Sequence, residues 1–162
     1  MFMKQSDLFW ELGHDFVREV MARSEKKQLA KGEILFFEGD AATYFYTLIK
    51  GRIRLLTGSS GPAEFILNHT GEAFGWSALV GRECYSATAE SLSPVSVVRV
   101  PRKDFEEICL AYPMDGLMFM RRLAGLIGQR LIRSYDLMGA SVGVDGCMVY
   151  GTGQVQEMVA EE

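Results

Sequence analysis

The sequence lacks any apolar run of about eighteen residues, the length that a membrane-spanning helix requires. Its first residues, 1–7, also lack the apolar stretch of a secretory signal. The chain has 162 residues, of which 48% are hydrophobic and 23% charged, a composition typical of one soluble globular domain. We therefore expect a cytoplasmic protein that makes no contact with a membrane.

Cysteine and histidine are also scarce. The three cysteines show no CxxC or Cys/His spacing, which argues against a metal centre or a disulfide framework. The two histidines, His14 and His69, lie far apart, and no Ser/His/Asp order or paired carboxylates occur at a glycine-rich turn. Cys84 lies near Arg82, but a single thiol without a resolving partner gives a redox role little support. We therefore expect that the protein is not an enzyme.

Positive charge is not in excess either, because the formal net charge is −4 at pH 7. This balance argues against a chain that coats nucleic acid. Four arginines in the late part of the chain fit the solvated face of a helix, and we expect no direct DNA contact. They are Arg121, Arg122, Arg130 and Arg133.

Short strands separated by turn residues fill the middle of the chain. Their β-branched and aromatic content, and their regular spacing, are typical of a barrel or sandwich. The strands are predicted at residues 33–37, 44–49, 52–56, 64–67, 85–91 and 95–100.

Helices are predicted on both sides of these strands. Apolar residues at helical spacing indicate a first helix over residues 7–23, capped by Ser6 or Asp7. A short helix begins at Asp104 and is interrupted by Pro113, and a long helix follows over residues 114–138. Residues 139–162 are rich in glycine, and we expect an irregular tail there.

Residues 71–81 are the segment most suited to binding a ligand. Glycines at 71, 75 and 81 free the backbone, and residues 76–80 suit one turn of helix. The N–H groups at the start of such a turn attract anions, and Ser77 adds a hydroxyl donor. The alternative is that the segment is only a connector and Trp76 a half-buried core aromatic. The spacing leaves both interpretations open.

Two stretches, residues 31–40 and 46–55, closely resemble the opening of the cyclic nucleotide-binding domain family. Residues 71–75 and 86–89 resemble the phosphate-binding cassette of that family, and the resemblance extends from about residue 9 to residue 138. It implies a mainly β fold, an eight-stranded jelly-roll-like β-roll with an N-terminal helix and a pair of C-terminal helices, the second of them long. It also implies one domain over residues 1–138.

The cassette departs from the family pattern at two positions. In family members that bind cyclic AMP, a glutamate after the cassette glycine bonds the ribose, and an arginine clamps the phosphate. Here Trp76 and Tyr85 stand at those positions. Losing one charge-assisted partner costs about 1.5–3 kcal/mol, or roughly tenfold to a hundredfold in affinity. Arg82 either replaces the missing cation or points into solvent.

The resemblance therefore assigns a candidate ligand site but no cofactor. A cyclic nucleotide or another small anionic ligand is the candidate occupant. Tyr85 and Trp76 could instead offer a hydroxyl and a stacking face to a different ligand, or fill the cavity themselves. The candidate ligand residues are Gly75, Trp76, Ser77, Ala78, Arg82, Tyr85, Ser86 and Ala87.

After residue 138 the chain lacks two successive helical patterns, so we expect a stand-alone module without the helix-turn-helix domain of the family's transcription activators. By resemblance, the long helix pairs with its copy in a homodimer. The alternative is that it packs on its own domain. The candidate dimer residues are Leu123, Leu126, Ile127, Arg130 and Leu131.

Two functions from different classes follow. The first is a sensor or regulatory module, in which a ligand enters the roll, the cassette shifts, the terminal helices reorient and a partner protein reads the change. The second is a structural or protein-interaction scaffold whose pocket no longer binds nucleotide. The retained cassette glycines favour the first function, and Trp76 and Tyr85 favour the second.

Overall fold

A computed structural model of the protein describes residues 8–58 and 63–141. The chain divides into two units, Met1–Ala124 and Gly125–Glu162, and every strand within the described residues belongs to the first. The strands are β1 Glu25–Leu29, β2 Ile34–Phe36, β3 Tyr44–Lys50, β4 Ile53–Thr57, β5 Ala63–Leu67, β6 Ala73–Phe74, β7 Thr88–Ser91 and β8 Val95–Pro101.

The strands form two four-stranded sheets in which every pairing is antiparallel. One sheet has the order β1-β8-β3-β6 and the other β2-β7-β4-β5. This arrangement confirms the mainly β, jelly-roll-like fold that the family resemblance implied. Strands β1 and β6 were not predicted. The first is mostly polar and lacks apolar alternation, and the second has only 2 residues.

Three helices accompany the sheets: α1 His14–Ala22, α2 Arg102–Ala111 and α3 Pro113–Ser141. The predicted start of the first helix at residue 7 was wrong, because Glu11 has a φ of 53° and Gly13 is the N-cap. Ser6 and Asp7, the predicted caps, lie outside the described residues. Within the described ranges, no helix is both long and apolar enough to cross a membrane.

The long helix continues past residue 138, where it was predicted to end, and reaches Ser141. Gly139 lies inside it, since a single glycine weakens a helix without ending it. The remainder of the predicted irregular tail, residues 142–162, lies outside the described residues. The predicted domain boundary at 138 therefore stays a prediction.

Strand β3 positions both the core and the candidate site. Successive side chains of a strand point to opposite faces, so Phe45 lies on one face while Tyr44 and Tyr46 lie on the other. The Phe45 ring packs 5.0 Å from Phe105 of α2 and 6.0 Å from Phe119 of α3, measured between centroids. The helices therefore cover one face of β3, and the other face is left to the roll interior.

Candidate functional site

The cassette segment, residues 71–89, passes close to β3 at Gly75. This glycine is in the left-handed conformation, with φ 72°, and leads into a short 3-10 turn at Trp76–Ala78. A Cβ atom at Gly75 would lie 2.9 Å from Cδ2 of Tyr46 and 3.4 Å from the carbonyl oxygen of Tyr44. The turn that was predicted over 76–80 therefore exists in shorter form, and its entry requires glycine for both space and conformation.

Trp76 is half-buried beside the turn. Its indole Nε1–H donates a hydrogen bond of 3.0 Å to the carbonyl of Ala73 within its own segment. The next two residues, Ser77 and Ala78, are buried. The indole N–H is thus already bonded to the protein.

Tyr85 is buried, with 5% of its surface exposed. Its hydroxyl donates a hydrogen bond of 2.6 Å to the carbonyl of Tyr44 and accepts one of 3.1 Å from the Tyr44 N–H. Its ring is stacked on Phe36, with 3.9 Å between the centroids and 19° between the planes. Ring and hydroxyl are therefore both engaged inside the roll.

The stack extends into an aromatic cluster formed by Tyr85, Phe36, Tyr46 and Phe74. Phe36 lies 5.4 Å from Tyr46, and Tyr46 lies 5.2 Å from Phe74, both nearly parallel. Phe36 belongs to one sheet, whereas Tyr46 and Phe74 belong to the other. The aromatic cluster therefore connects the two sheets at the cassette.

Both hydroxyl groups of this cluster remain neutral at physiological pH. Burial raises the pKa of Tyr46, and the neighbouring Tyr85 raises it further through its charge and a hydrogen bond. Burial also raises the pKa of Tyr85, against the effect of its hydrogen bonds to the backbone of Tyr44. The cluster is aromatic and uncharged, unlike the glutamate and arginine that the family pattern places in the cassette.

Arg82 lies outside the aromatic cluster. The residue is exposed, and within the described part of the chain its guanidinium makes no ion pair. Its backbone is held on both sides, since its N–H donates to the carbonyl of Ser77 and its carbonyl accepts from Nη1 of Arg102 at 3.1 Å. Of the remaining candidates, Ser86 is exposed and Ala87 is half-buried.

Of the predicted ligand residues, Gly75 and Tyr85 both lie against Tyr44 of β3, and Arg82 is hydrogen-bonded through its N–H to the carbonyl of Ser77. Sequence reasoning missed their partners Phe36, Tyr44, Tyr46 and Phe74. Alternation along β3 could have placed residues 44 and 46 on one face, but nothing local indicated that Tyr85 would join them. Among the described residues, no group of three or more His, Cys, Asp or Glu side chains could hold a metal ion.

The candidate dimer residues differ in exposure. Leu123 is 1% exposed within the first unit, so it packs in that unit's own core. In the second unit, Leu131 is 49% exposed and three other candidates are half-buried. Those three are Leu126, Ile127 and Arg130.

Comparison with known proteins matches residues 26–112 to the cyclic nucleotide-binding domain. The cyclic AMP receptor protein of Thermus thermophilus is 27% identical over 137 residues, which cover 83% of this chain and 61% of that protein. A lysophospholipase of Cryptococcus neoformans is 27% identical over 116 residues, covering 71% of this chain and 7% of that enzyme.

The fold is likewise similar to a solved structure, that of the catabolite activator protein of Thermus thermophilus. The TM-score is 0.67 and the identity 26%, over 82% of this chain and 61% of that one. This chain thus spans less than two thirds of each of these relatives. Because the family match covers more than half of the sequence and the roll is the same, the chain belongs to the cyclic nucleotide-binding domain family.

Proposed function

We propose that this chain is a regulatory module of the cyclic nucleotide-binding family with a degenerate cassette, which Tyr85 occupies in place of a cyclic phosphate. The observation that carries the proposal is the engagement of Tyr85, whose hydroxyl bonds both backbone groups of Tyr44 and whose ring stacks on Phe36. A regulatory role is supported by the similarity to the cyclic AMP receptor protein.

A cyclic nucleotide would meet two penalties at this site. It would find neither the glutamate nor the arginine of the family pattern, which weakens binding by roughly tenfold to a hundredfold for each charged partner lost. It would also have to displace Tyr85 from two hydrogen bonds and a close ring stack. We expect no binding of cyclic AMP or cyclic GMP at micromolar concentration. The module then acts through its contacts with a partner protein.

A second candidate function is a sensor for a different small ligand. It is favoured by the retained left-handed conformation at Gly75 and by the exposed Arg82 and Ser86 near the cassette. A thermal-shift screen of nucleotides and small anions separates the two functions. A saturable stabilisation by an anion, lost in Arg82→Gln, would favour the sensor.

The test of the main proposal is isothermal titration with cyclic AMP and cyclic GMP. We expect no heat of binding from the wild-type chain, and binding by the Trp76→Glu, Tyr85→Arg double variant, which restores the family's charged residues. Tyr85→Phe is the matched control, since it keeps the ring and adds no charge. Circular dichroism checks that each variant is folded. Micromolar binding by the wild-type chain would overturn the proposal.

The proposal includes a homodimer formed through α3. It is supported by apolar side chains that α3 leaves exposed in each unit. They are Met114, Leu117, Met118 and Met120 in the first unit, and Leu131, Ile132 and Tyr135 in the second.

Sedimentation velocity tests this homodimer. We expect a dimer that Leu131→Glu dissociates, because the charge cannot be buried in the interface. Leu110→Glu, on α2 and 82% exposed, is the control. A monomeric wild-type chain would contradict the dimer.

The proposal assigns the module no catalytic step and no direct contact with DNA, and it places the module in the cytoplasm.

A further inference from the structure

We propose that Tyr85 acts as a built-in ligand that holds the first turn of α2 in place, and that Arg102 is the positioning residue that links the cassette to this helix. The inference rests on the proposed function, since it takes Tyr85 as the group that occupies the cassette. It adds a means of regulation, in which displacement of the tyrosine releases α2.

The loop that carries Tyr85 is fixed against the turn before β3. The Tyr85 N–H donates to the carbonyl of Asp40 at 2.9 Å, and its carbonyl accepts from the Gly39 N–H at 3.0 Å. Two residues before Tyr85, the carbonyl of Glu83 accepts a hydrogen bond of 2.8 Å from the Ala42 N–H. The side chain adds its hydroxyl bonds to Tyr44 and its ring stack on Phe36 to these backbone bonds, and its loss weakens the anchoring of Tyr44.

The same stretch of chain holds the start of α2. The Thr43 carbonyl, one residue before Tyr44, accepts a hydrogen bond of 2.8 Å from the N–H of Arg102. Arg102 is the first residue of α2, and N–H groups at a helix start have no partner within the helix. Thr43 satisfies one of these groups, so the position of residues 43 and 44 determines where α2 begins.

The side chain of Arg102 makes a second link, directly to the cassette. Its Nη1 donates 3.1 Å to the carbonyl of Arg82, and its Nε donates 2.8 Å to the carboxylate of Glu106 one helical turn later. Glu106 orients the guanidinium along α2. Arg102 thus connects α2 to the two segments that Tyr85 holds, residues 43–44 and the loop after the 3-10 turn.

Packing on the opposite face of β3 makes this link consequential. Phe45 lies between Tyr44 and Tyr46 in sequence, and its ring packs on Phe105 of α2 with 5.0 Å between the ring centroids. Phe105 in turn lies 4.7 Å from Phe119 of α3. A change in β3 at the tyrosine therefore reaches α2 by two routes, the hydrogen bonds of Arg102 and the ring of Phe105.

Amide hydrogen exchange of the full chain tests the coupling. We expect Tyr85→Ala to speed the exchange of the Arg102 amide, which is hydrogen-bonded to the Thr43 carbonyl, by about tenfold beyond any global change, because this amide reports local opening at the start of α2. Leu67→Ala is the matched control, since Leu67 is fully buried in β5, which belongs to the sheet that does not contain β3. Urea denaturation measures the global loss of stability in each variant. The exchange rates of Tyr85→Ala and Leu67→Ala can then be compared at the same free energy of unfolding.

Tyr85→Phe keeps the coupling testable if the alanine variant fails to fold, since it keeps the ring and removes only the hydroxyl bonds. We expect a smaller acceleration at α2 from this variant. Arg102→Met retains an unbranched side chain but removes both side-chain hydrogen bonds. In a chain that carries Arg102→Met, we expect the Tyr85 substitutions to accelerate amide exchange at α2 at least severalfold less than they do in the wild-type chain.

Two results would overturn the inference. The first is an exchange rate at α2 in the Tyr85 variants equal to that in Leu67→Ala, with acceleration confined to residues 82–88. The second is simple additivity of the Tyr85 and Arg102 effects, which would remove Arg102 as the link. Neither depends on nucleotide binding. If the wild-type chain binds cyclic AMP, the proposed function fails while the exchange data still decide the coupling.

Discussion

Single residues decide the chemistry of this cassette, and Tyr85 is the most important of them. Its hydroxyl satisfies both backbone groups of Tyr44, and its ring is stacked on Phe36. An arginine at this position would place a positive charge in the aromatic cluster, which contains no carboxylate to pair with it. We propose that this one residue changes the cassette from a phosphate-binding site to part of the core.

Substitution of Tyr85 by phenylalanine tests the hydroxyl contribution. The change leaves the N–H and carbonyl of Tyr44 without their partner, so we expect the free energy of unfolding to fall by about 1–3 kcal/mol in urea denaturation. Tyr112→Phe is the matched control, because Tyr112 is a half-buried tyrosine whose ring packs edge-on against Phe16. Equal stabilities for Tyr85→Phe and wild type would show that the hydroxyl bonds contribute nothing.

Alanine substitution of Gly75 tests how closely the cassette approaches β3. Alanine at Gly81, where φ is 77° and nothing lies within 4 Å, is expected to lower the free energy of unfolding by about 1–2 kcal/mol through the left-handed conformation alone. Alanine at Gly75, with φ 72°, also meets the Tyr46 ring at 2.9 Å, so we expect a further loss of about 1–3 kcal/mol. Thermal unfolding of both variants checks the difference, and equal losses would mean that the ring moves aside freely.

Burial of Cys109 makes stability depend on alkaline pH. Burial, and secondly the charge of Glu106, raise the pKa of this thiol to about 11 from an ordinary value near 9.0. The unfolded chain therefore ionises first, so stability is full below pH 9.0 and falls as the pH rises towards 11. Urea denaturation across this window is expected to show a shallower fall for Cys109→Ala, and an unchanged slope would contradict the assignment.

At the scale of elements, close approach between α2 and α3 depends on a glycine. A Cβ atom at Gly116 would lie 3.0 Å from Cβ and 3.2 Å from Cα of Cys109. Alanine normally stabilises a helix relative to glycine by about 0.5–1 kcal/mol, as we expect for Gly125→Ala, where nothing lies within 4 Å. We expect Gly116→Ala to destabilise by about 1–3 kcal/mol instead. Stabilisation by both substitutions, measured in urea, would show that the helices separate easily.

Sequence patterns predicted the elements with strong periodicity and missed those without it. Strands β3 and β8 were predicted to within a residue because their apolar residues mark them clearly. Strand β1, with the sequence EKKQL, owes its conformation to pairing with β8, which no local pattern reveals. The helix predicted from residue 7 starts at His14, since Leu8, Phe9 and Leu12 before it are buried without being helical.

The location of the candidate site could be predicted from the sequence, but whether Tyr85 fills it could not. The glycines and the family resemblance located the cassette, and they identified Trp76 and Tyr85 as departures. Whether Tyr85 fills the roll or faces a ligand depends on Phe36 and Tyr44, which lie more than 40 residues before it in the sequence, and therefore on the fold. Only the structure shows that the tyrosine is stacked and bonded there.

At the scale of the whole molecule, we propose a module of the cyclic nucleotide-binding family that carries its own occupant, Tyr85. Such a module does not respond to the concentration of a cyclic nucleotide. It presents one arrangement of its helices to partners until something displaces the tyrosine. A ligand can shift a conformational equilibrium only by its difference in affinity for the two states, and a ligand that does not bind shifts nothing.

The most direct test of this central claim is a titration of the labelled wild-type chain with cyclic AMP, followed by amide chemical shifts. We expect the amide chemical shifts of Gly75, Trp76, Ser77 and Ser86 to stay unchanged up to about 1 mM cyclic AMP. A Kd above this concentration corresponds to a binding free energy weaker than roughly 4 kcal/mol. Saturable shifts of these amides at micromolar concentration would contradict the claim, because they would show a cyclic nucleotide in the cassette despite Tyr85.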